Sequence, residues 1–174
     1  MRMALLPLPA ILALAAALPS CGGAPKQGPE PAERPAPLVV LRTGDPAPEG
    51  ARAVARVEVV STPEARRLGL MGRDLLAPDS GMLFVYPDEA PRTFWMRNCR
   101  YPLAAAFLDA AGRILNIREM APDDGSPEES LPRYESEGPA RFVLEMESGW
   151  FARKGIRAGD RADLAGALRG TVVR

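Results

Sequence analysis

The large apolar side chains of this chain are concentrated in residues 81–117, and their pattern predicts several short strands there. Residues 82–86 form an unbroken apolar run, which is too short for a helix and is typical of a strand buried on both faces. Residues 104–109 and 114–120 flank a connection of hairpin length that contains Gly112, a residue that accepts a positive φ. The stretch therefore predicts the centre of a sheet.

A further strand is predicted for residues 94–98, after a turn with proline and acidic residues. The side chains of an extended segment point alternately to opposite faces. One face would carry Phe94, Met96 and Asn98, and the other would carry Trp95, Arg97 and Cys99. We expect the first face in the core and the second to be mixed.

Residues 56–60 predict a first strand, and a helix start follows it. Thr62 suits the N-cap, Pro63 the first helical position and Glu64 the first turn. We expect the helix to end by Gly72. Its two faces should divide the side chains, with Ala65, Leu68 and Met71 towards the sheet and Arg66, Arg67 and Arg73 towards water. These arginines could bind an anion, although solvated surface is the simpler interpretation.

Residues 141–147 alternate most clearly, which predicts an antiparallel strand with one wet face. Its inward side chains would be Phe142, Leu144 and Met146, and its outward ones Arg141, Val143, Glu145 and Glu147. Ser148 predicts the cap of a short helix that ends at Gly155, and a last strand is expected near residues 161–164. The element order predicts an α+β fold with a largely antiparallel, barrel-like β-sheet and two short helices.

The first twenty residues predict a secretory signal outside the fold, because Arg2 precedes an apolar run that is too short for a membrane span. The approach to Cys21 resembles a bacterial lipobox, so we expect cleavage before Cys21 and lipid on its sulfur; ordinary signal cleavage is the alternative. Residues 21–50 predict a proline-rich tether, within which the apolar run 38–41 could add an edge strand. The folded domain is expected at residues 51–168.

Composition excludes several classes of function. The chain has 174 residues and a formal net charge of +0, so no basic surface indicates a nucleic-acid partner. It contains no histidine, which excludes imidazole-based catalytic triads and the usual zinc sites. Cys99 is the only cysteine that remains once Cys21 is lipidated, so we expect no intrachain disulfide.

Residues 121–140 show no periodicity and are rich in acidic side chains. A connection of this length is usually mobile or functional, and disorder is the simplest interpretation. The acidic residues lack the spacing of an EF-hand loop, so we assign no metal and no cofactor.

Several blocks of sequence occur in a fixed order along the domain, at residues 67–73, 81–86, 94–98, 107–112, 138–145 and 155–160. Together they resemble the family known as domain of unknown function 192, also called uncharacterised protein family 0127. The resemblance implies a small β-rich domain, often exported or lipid-anchored, and no specific activity. The chain departs from the family pattern at Ala104, where relatives commonly have Asp, and at Cys99, where they usually have Thr. It also lacks the loop cysteines that some relatives carry.

Three functions remain open from the sequence. The first is a non-catalytic binding or accessory module for a glycan, a peptide or an envelope protein, because the chain offers aromatic faces together with hydrogen-bonding side chains. The candidate ligand-binding residues are Arg73, Trp95, Arg97, Asn98, Tyr134 and Glu145. Each of them could instead serve packing, a turn or an internal ion pair.

The second function is a small hydrolase-type enzyme with paired carboxylates, such as Asp109 with Glu145 or Asp160 with Asp163. Carboxylates next to turns usually cap them, so we assign no catalytic residue. The third function is Cu(I) binding, because thioether and thiolate ligands select this ion, although core packing explains the same sulfurs. Those sulfurs belong to Cys99, Met71, Met82, Met96, Met120 and Met146.

We therefore expect an exported protein of the bacterial cell envelope that is anchored to the membrane through lipid on Cys21. A glycan, a peptide or an envelope protein is the expected partner, and nucleic acid is not.

Overall fold

The structure is a computed structural model that describes residues 38–42 and 52–174. The strands in these residues are β1 (Leu38–Arg42), β2 (Arg52–Val60), β3 (Ser80–Ala90), β4 (Thr93–Phe94), β5 (Leu103–Leu108), β6 (Ile114–Met120), β7 (Tyr134–Glu135), β8 (Ala140–Glu147) and β9 (Arg161–Asp163). The helices are α1 (Pro63–Leu68), α2 (Trp150–Arg153) and α3 (Ala165–Leu168), with a 3-10 turn at Glu128–Ser130. None of these helices is long and apolar enough to cross a lipid bilayer. The predicted signal segment, Cys21 and most of the predicted tether lie outside the described residues.

Seven strands form one mixed sheet in the order β6-β5-β8-β3-β2-β1-β9, and β4 pairs with β7 in a small separate ladder. All neighbours in the large sheet are antiparallel except β2 and β3, which are parallel because α1 connects them as a crossover. The α+β class and the mostly antiparallel pairing predicted from the sequence are confirmed. The apolar run in the tether is also confirmed as a strand, although β1 lies between β2 and β9 and is not at the edge.

The barrel-like closure predicted from the sequence is not confirmed. The outer strands β6 and β9 approach each other only at an isolated bridge between Arg113 and Arg161. Backbone hydrogen bonds from Ile114 N to Asp160 O and from Ala162 N to Gly112 O, both 2.8 Å, hold this contact. No continuous ladder joins the two edges in the described part of the chain, so the sheet is not a closed barrel.

Both faces of the central strands are buried. On one face, β8 contributes Phe142, Leu144 and Met146 to a core with Trp150 and Phe151 of α2, which we call the first core. On the opposite face, Val143 packs in a second core with aromatic and sulfur-containing side chains, among them Phe84, Phe94, Met96, Cys99 and Phe107. The wet face predicted for residues 141–147 is therefore wrong for Val143 and Glu145, which are 0% and 4% exposed.

The strand predicted for residues 94–98 is also mostly wrong. Strand β4 ends at Phe94, and the chain reverses at Asn98, which has a φ of 56°. The Cys99 N–H donates to Met96 O at 2.9 Å in this turn. Because the turn breaks the alternation, Cys99 is buried in the second core together with Met96, and does not share a face with Arg97.

Helix α1 begins as predicted, because the Thr62 side chain accepts a hydrogen bond from Ala65 N and Pro63 occupies the first turn. Its predicted inner face is wrong for Leu68, which is 62% exposed, whereas Met71 is half-buried against the second core and Leu70 is buried. The helix ends at Leu68 and Gly69 has a φ of 49°, so the helical period stops two residues before Leu70, whose side chain enters the core.

Helix α2 ends at Arg153, two residues before the predicted end at Gly155, and Ile156 is buried beyond the turn as predicted. Its cap is different, because Gly149 occupies the N-cap and the Ser148 hydroxyl donates to Glu119 at 2.6 Å. The prediction of two short helices is incomplete, since the short α3 follows β9.

Gly81 of β3 lies opposite Met146 of the neighbouring strand β8. A methyl group at this position would overlap the Glu145 carbonyl oxygen and the Met146 sulfur. We expect Gly81→Ala to lower the free energy of unfolding by about 1–3 kcal/mol, because the backbone on both sides is fixed by the ladder. Urea denaturation measures this. Gly138→Ala is the matched control, since its nearest neighbour would be Leu115 Cδ1 at 3.8 Å. Equal midpoints for the two variants would contradict the packing described here.

Candidate functional site

The segment that follows β4 carries three of the sequence-predicted site residues to the surface. Phe94 and Met96 are buried and anchor the segment in the second core. Trp95 between them is half-buried, and Arg97 and Asn98 are exposed at the reversal of the chain. The buried pair therefore fixes the position of the indole ring.

Trp95 forms one wall of a cleft of about 220 Å³, which we call the aromatic cleft. Its lining residues are Arg66, Arg67, Tyr86, Thr93, Phe94 and Trp95. Tyr86 of β3 is a second aromatic side chain of the lining and is half-buried. Burial raises the pKa of Tyr86, and the positive charges of Arg92 and Arg66 oppose this shift.

Guanidinium groups stack on both aromatic walls. Arg92 lies 3.8 Å and Arg66 4.9 Å from the centroid of the Tyr86 ring. Arg133 lies 4.2 Å from the centroid of the Trp95 ring, and Arg97 lies 5.7 Å from it. Cation–π contacts of this kind hold a guanidinium close to the ring while its N–H groups stay available at the edge.

The two arginines that line the cleft have different surroundings. Arg66 donates to three backbone carbonyl oxygens, those of Ser61 (2.6 Å), Val85 (2.8 Å) and Arg174 (3.1 Å). Arg67 is exposed, and none of the hydrogen bonds or ion pairs within residues 52–174 involves its side chain. Arg66 is thus a fixed charge, and Arg67 has free donors.

Arg97 and Asn98 belong to a second hollow of about 220 Å³, which we call the loop pocket. Arg97 forms an ion pair with Glu128. The Asn98 N–H donates to Asp123 Oδ2 at 2.6 Å, and the second oxygen of Asp123 accepts from Gly125 N at 2.9 Å. The acidic side chains of the pocket are therefore used within the loop. Over the described residues, no cluster of His, Cys, Asp or Glu side chains could hold a metal ion.

The acidic stretch 121–140 is packed against the second core, contrary to the simplest interpretation of its sequence. Leu131 is 6% exposed, and β7 pairs Tyr134 with Phe94. The Tyr134 hydroxyl accepts from Ala121 N at 3.0 Å, which joins the two ends of the stretch. Tyr134 therefore fixes the loop and is not part of either hollow.

Arg73 is separated from the other predicted site residues. Its guanidinium forms an ion pair with Glu58 of β2, with Nη2 to Oε2 at 2.6 Å. The hydrogen bond that Arg73 donates to Glu58 is the main cause of the raised pKa of Arg73. Arg73 consequently has an internal partner and lines neither the aromatic cleft nor the loop pocket.

Glu145 lies in the second core, between Met82 and Ala105 of the neighbouring strands. Burial raises the pKa of its carboxyl group to about 8, so the group is mostly protonated at neutral pH. The Tyr101 hydroxyl is buried and has no hydrogen-bond partner in the described residues. Burial, with a smaller effect of Glu145 and Asp123, raises the pKa of the Cys99 thiol to about 11. The thiol is therefore a poor nucleophile at neutral pH.

The other carboxylates considered for catalysis serve turns. Asp109 Oδ1 accepts from Ala111 N at 2.9 Å and from Arg113 N at 2.8 Å in the hairpin between β5 and β6. Asp160 Oδ2 accepts from Arg157 N, and Asp163 Oδ1 accepts from Ala165 N. Through these hydrogen bonds Asp109, Asp160 and Asp163 cap turns, as the sequence also suggested.

The sequence reasoning missed several residues of the aromatic cleft, namely Arg66, Arg67, Tyr86, Thr93 and Arg133. Arg66 and Arg67 were assigned to a solvated helix face, and the possible anion site was set aside. The helix start at Thr62 is the sequence feature that could have indicated Arg66 and Arg67. It places both arginines about one turn into a helix that packs beside β3.

The chain belongs to the family of domain of unknown function 192, described as uncharacterised ACR, whose model matches residues 46–164. A solved structure from Sinorhizobium meliloti, described as a candidate transcription regulator, is similar with 31% identity and a TM-score of 0.64, covering 73% of this chain and 92% of that one. A protein of unknown function from Novosphingobium aromaticivorans is similar with 32% identity and a TM-score of 0.63, covering 72% and 83%. Among curated proteins, no match was found.

The buried Glu145 predicts a specific dependence of stability on pH. The unfolded chain releases this proton near the ordinary pKa of 4.5, whereas the folded chain keeps it up to about 8. The free energy of unfolding should therefore fall as the pH rises between these values, by about 1 kcal/mol per pH unit from this group. Glu145→Gln should reduce the slope between pH 5 and pH 8 in urea denaturation.

Glu147→Gln is the control for this measurement, because Glu147 lies on the same strand and is exposed. A slope that changes equally in both variants would show that Glu145 is not the titrating group.

Proposed function

We propose that this protein is a lipid-anchored binding module of the bacterial cell envelope, without catalytic activity of its own. The observation that carries the proposal is the aromatic cleft, in which two fixed aromatic walls and unpaired hydrogen-bond donors converge at the surface. A volume of about 220 Å³ is below that of usual small-molecule sites, which suits one sugar ring or one side chain of a longer ligand.

The envelope location is supported by the sequence at the N-terminus. A positive start, an apolar run and a small residue before Cys21 are the features of a lipoprotein signal. A thioether-linked diacylglycerol with a further acyl chain would supply two or more hydrophobic chains, which is sufficient for stable anchoring. A proline-rich segment after Cys21 would keep the domain away from the lipid surface.

In the two hollows, no carboxylate is left without an internal partner, which supports binding over hydrolysis. The side chains that line the aromatic cleft include no acid, and the two acids of the loop pocket are bonded to Arg97 and Asn98. Glu145 is the carboxyl group with a strongly shifted pKa, but it is 4% exposed in the core. Neither the aromatic cleft nor the loop pocket therefore offers an acid and a base that are free of internal partners.

The description of the Sinorhizobium relative raises DNA binding as an alternative. The longest helix in the described residues, α1, has 6 residues, which is short for a recognition helix in the major groove. The equal numbers of basic and acidic side chains, 22 each, also disfavour a phosphate-binding surface. These features favour the envelope binding module.

Binding at the aromatic cleft should change the fluorescence of Trp95, because the half-buried indole lies in its wall. We expect a shift on titration of the full-length chain, in nonionic detergent, with envelope polysaccharide fragments. Trp95→Phe should abolish this shift, since the remaining Trp150 is 2% exposed in the first core. Flat titrations with glycans and with peptides would contradict the proposal.

Lipid attachment can be tested separately. The protein expressed in a bacterium with lipoprotein processing should carry acyl chains on Cys21, visible as a mass increase of the N-terminal peptide, and should sediment with membranes. Cys21→Ser should remove the added mass and release the protein from the membrane fraction. Cys99→Ser is the matched control and should leave both unchanged, because Cys99 is buried. An unmodified Cys21 in the wild-type chain would reject the anchor.

A further inference from the structure

We infer that the aromatic cleft is built for the carboxylate of an acidic sugar, so that the ligand of this module is an acidic polysaccharide. This inference rests on the proposed function and names the class of ligand for the same site. It follows from the charges around the cleft, the different states of Arg66 and Arg67, and the shape of the walls.

The lining of the cleft is positively charged and includes no acid. Arg66 and Arg67 line it directly, and Arg92 and Arg133 stack on the rings of Tyr86 and Trp95. Charges of one sign around a concave surface with apolar walls concentrate their field in the cleft. An anionic group is therefore favoured over a neutral one.

Two carboxylates border this region, and they limit the size of the anionic group. Asp88 forms an ion pair with Arg92 at 2.9 Å, so these two charges offset each other. Glu135 lies opposite Thr93 in the ladder of β4 and β7, and both side chains are exposed. The positive charge that remains in the lining is that of Arg66 and Arg67, which matches one carboxylate of a polysaccharide chain.

Arg66 and Arg67 have different roles in binding: Arg66 supplies a fixed positive charge, and Arg67 supplies unpaired hydrogen-bond donors. Arg66 is held by three carbonyl oxygens, so its charge is preorganised and its side chain loses little entropy when a ligand binds. Arg67 has no partner within the described residues, and its planar fork matches a carboxylate with two parallel hydrogen bonds. Arg67 is therefore the residue that contacts the anion.

The remaining lining residues fit a sugar better than a peptide side chain. Thr93 is exposed and its hydroxyl can exchange hydrogen bonds with the hydroxyl groups of a sugar. Tyr86 and Trp95 are half-buried and give the cleft two aromatic walls, on which guanidinium groups already stack. The cleft thus combines a guanidinium that can donate to a carboxylate, a hydroxyl group and two aromatic walls, in a volume of about 220 Å³.

Calorimetric titration with a matched pair of ligands tests the inference. The full-length chain in nonionic detergent is titrated with oligogalacturonate and with its fully methyl-esterified form, which has the same sugars without charge. We expect the acidic form to bind at least about tenfold more tightly, because a charge-assisted bidentate contact is lost in the ester. Arg67→Ala should remove about tenfold of the affinity for the acidic form and leave that for the ester unchanged.

Arg157→Ala removes the same charge from the turn before β9 and is the matched control; it should leave both affinities unchanged. An equal loss in both arginine variants would overturn the assignment of Arg67. Two competing probes complete the test, inorganic phosphate and a short oligoglutamate peptide. Displacement of oligogalacturonate by either at equal concentration would overturn the sugar carboxylate as the ligand.

The two levels of the proposal fail differently. Equal binding of the acidic and esterified forms, with the Trp95 fluorescence shift intact, would overturn the acidic ligand and leave a binding module for neutral glycans. Absence of binding for both forms and for all other glycans and peptides would overturn the binding function itself.

Discussion

The burial of β8 and β3 on both faces is the constraint on which the rest of this structure depends. β8 lies between β5 and β3 in the centre of the sheet, and its side chains enter the first core and the second core alternately. Apolar surface on either face would cost about 25 cal/mol per Å² if it met water, so both faces need a cover. Helix α2 and the chain after it cover one face. The small β4–β7 ladder and the stretch 121–140 cover the other.

The same constraint explains the chemistry of the interior. Because the second face of β8 is closed, Glu145 is buried beside Met82 and Ala105, and its proton is retained. The same segments bury Cys99 and the methionines of the second core. Their sulfur atoms therefore serve as packing atoms of that core. Glu145 and Cys99 are thus buried as a consequence of how the sheet is covered. The side chains that a ligand can reach lie on the outer surface of the covering segments.

The surface site depends on the way this cover is attached. The chain reversal at Asn98 leaves Trp95 at the surface between two buried anchors, and the packed loop brings Arg133 onto its ring. Helix α1, the crossover between the parallel strands, brings Arg66 beside Tyr86. Arginines from separate segments therefore contact Tyr86 and Trp95 because these segments pack over the same face of the sheet.

The sequence by itself determined the central strands, the α+β class, the start of α1 and the family, because apolar runs, caps and turn residues act over a few neighbouring positions. It could not determine that residues 141–147 have two dry faces, that Leu68 is exposed, or that the chain turns at Asn98. Among the candidate site residues, it grouped Trp95, which lines a cleft, with Arg73, Tyr134 and Glu145, which have internal partners or are buried. Only the tertiary structure decided these points, since burial and partnership depend on which distant segments cover each face of the sheet, and no local pattern encodes that choice.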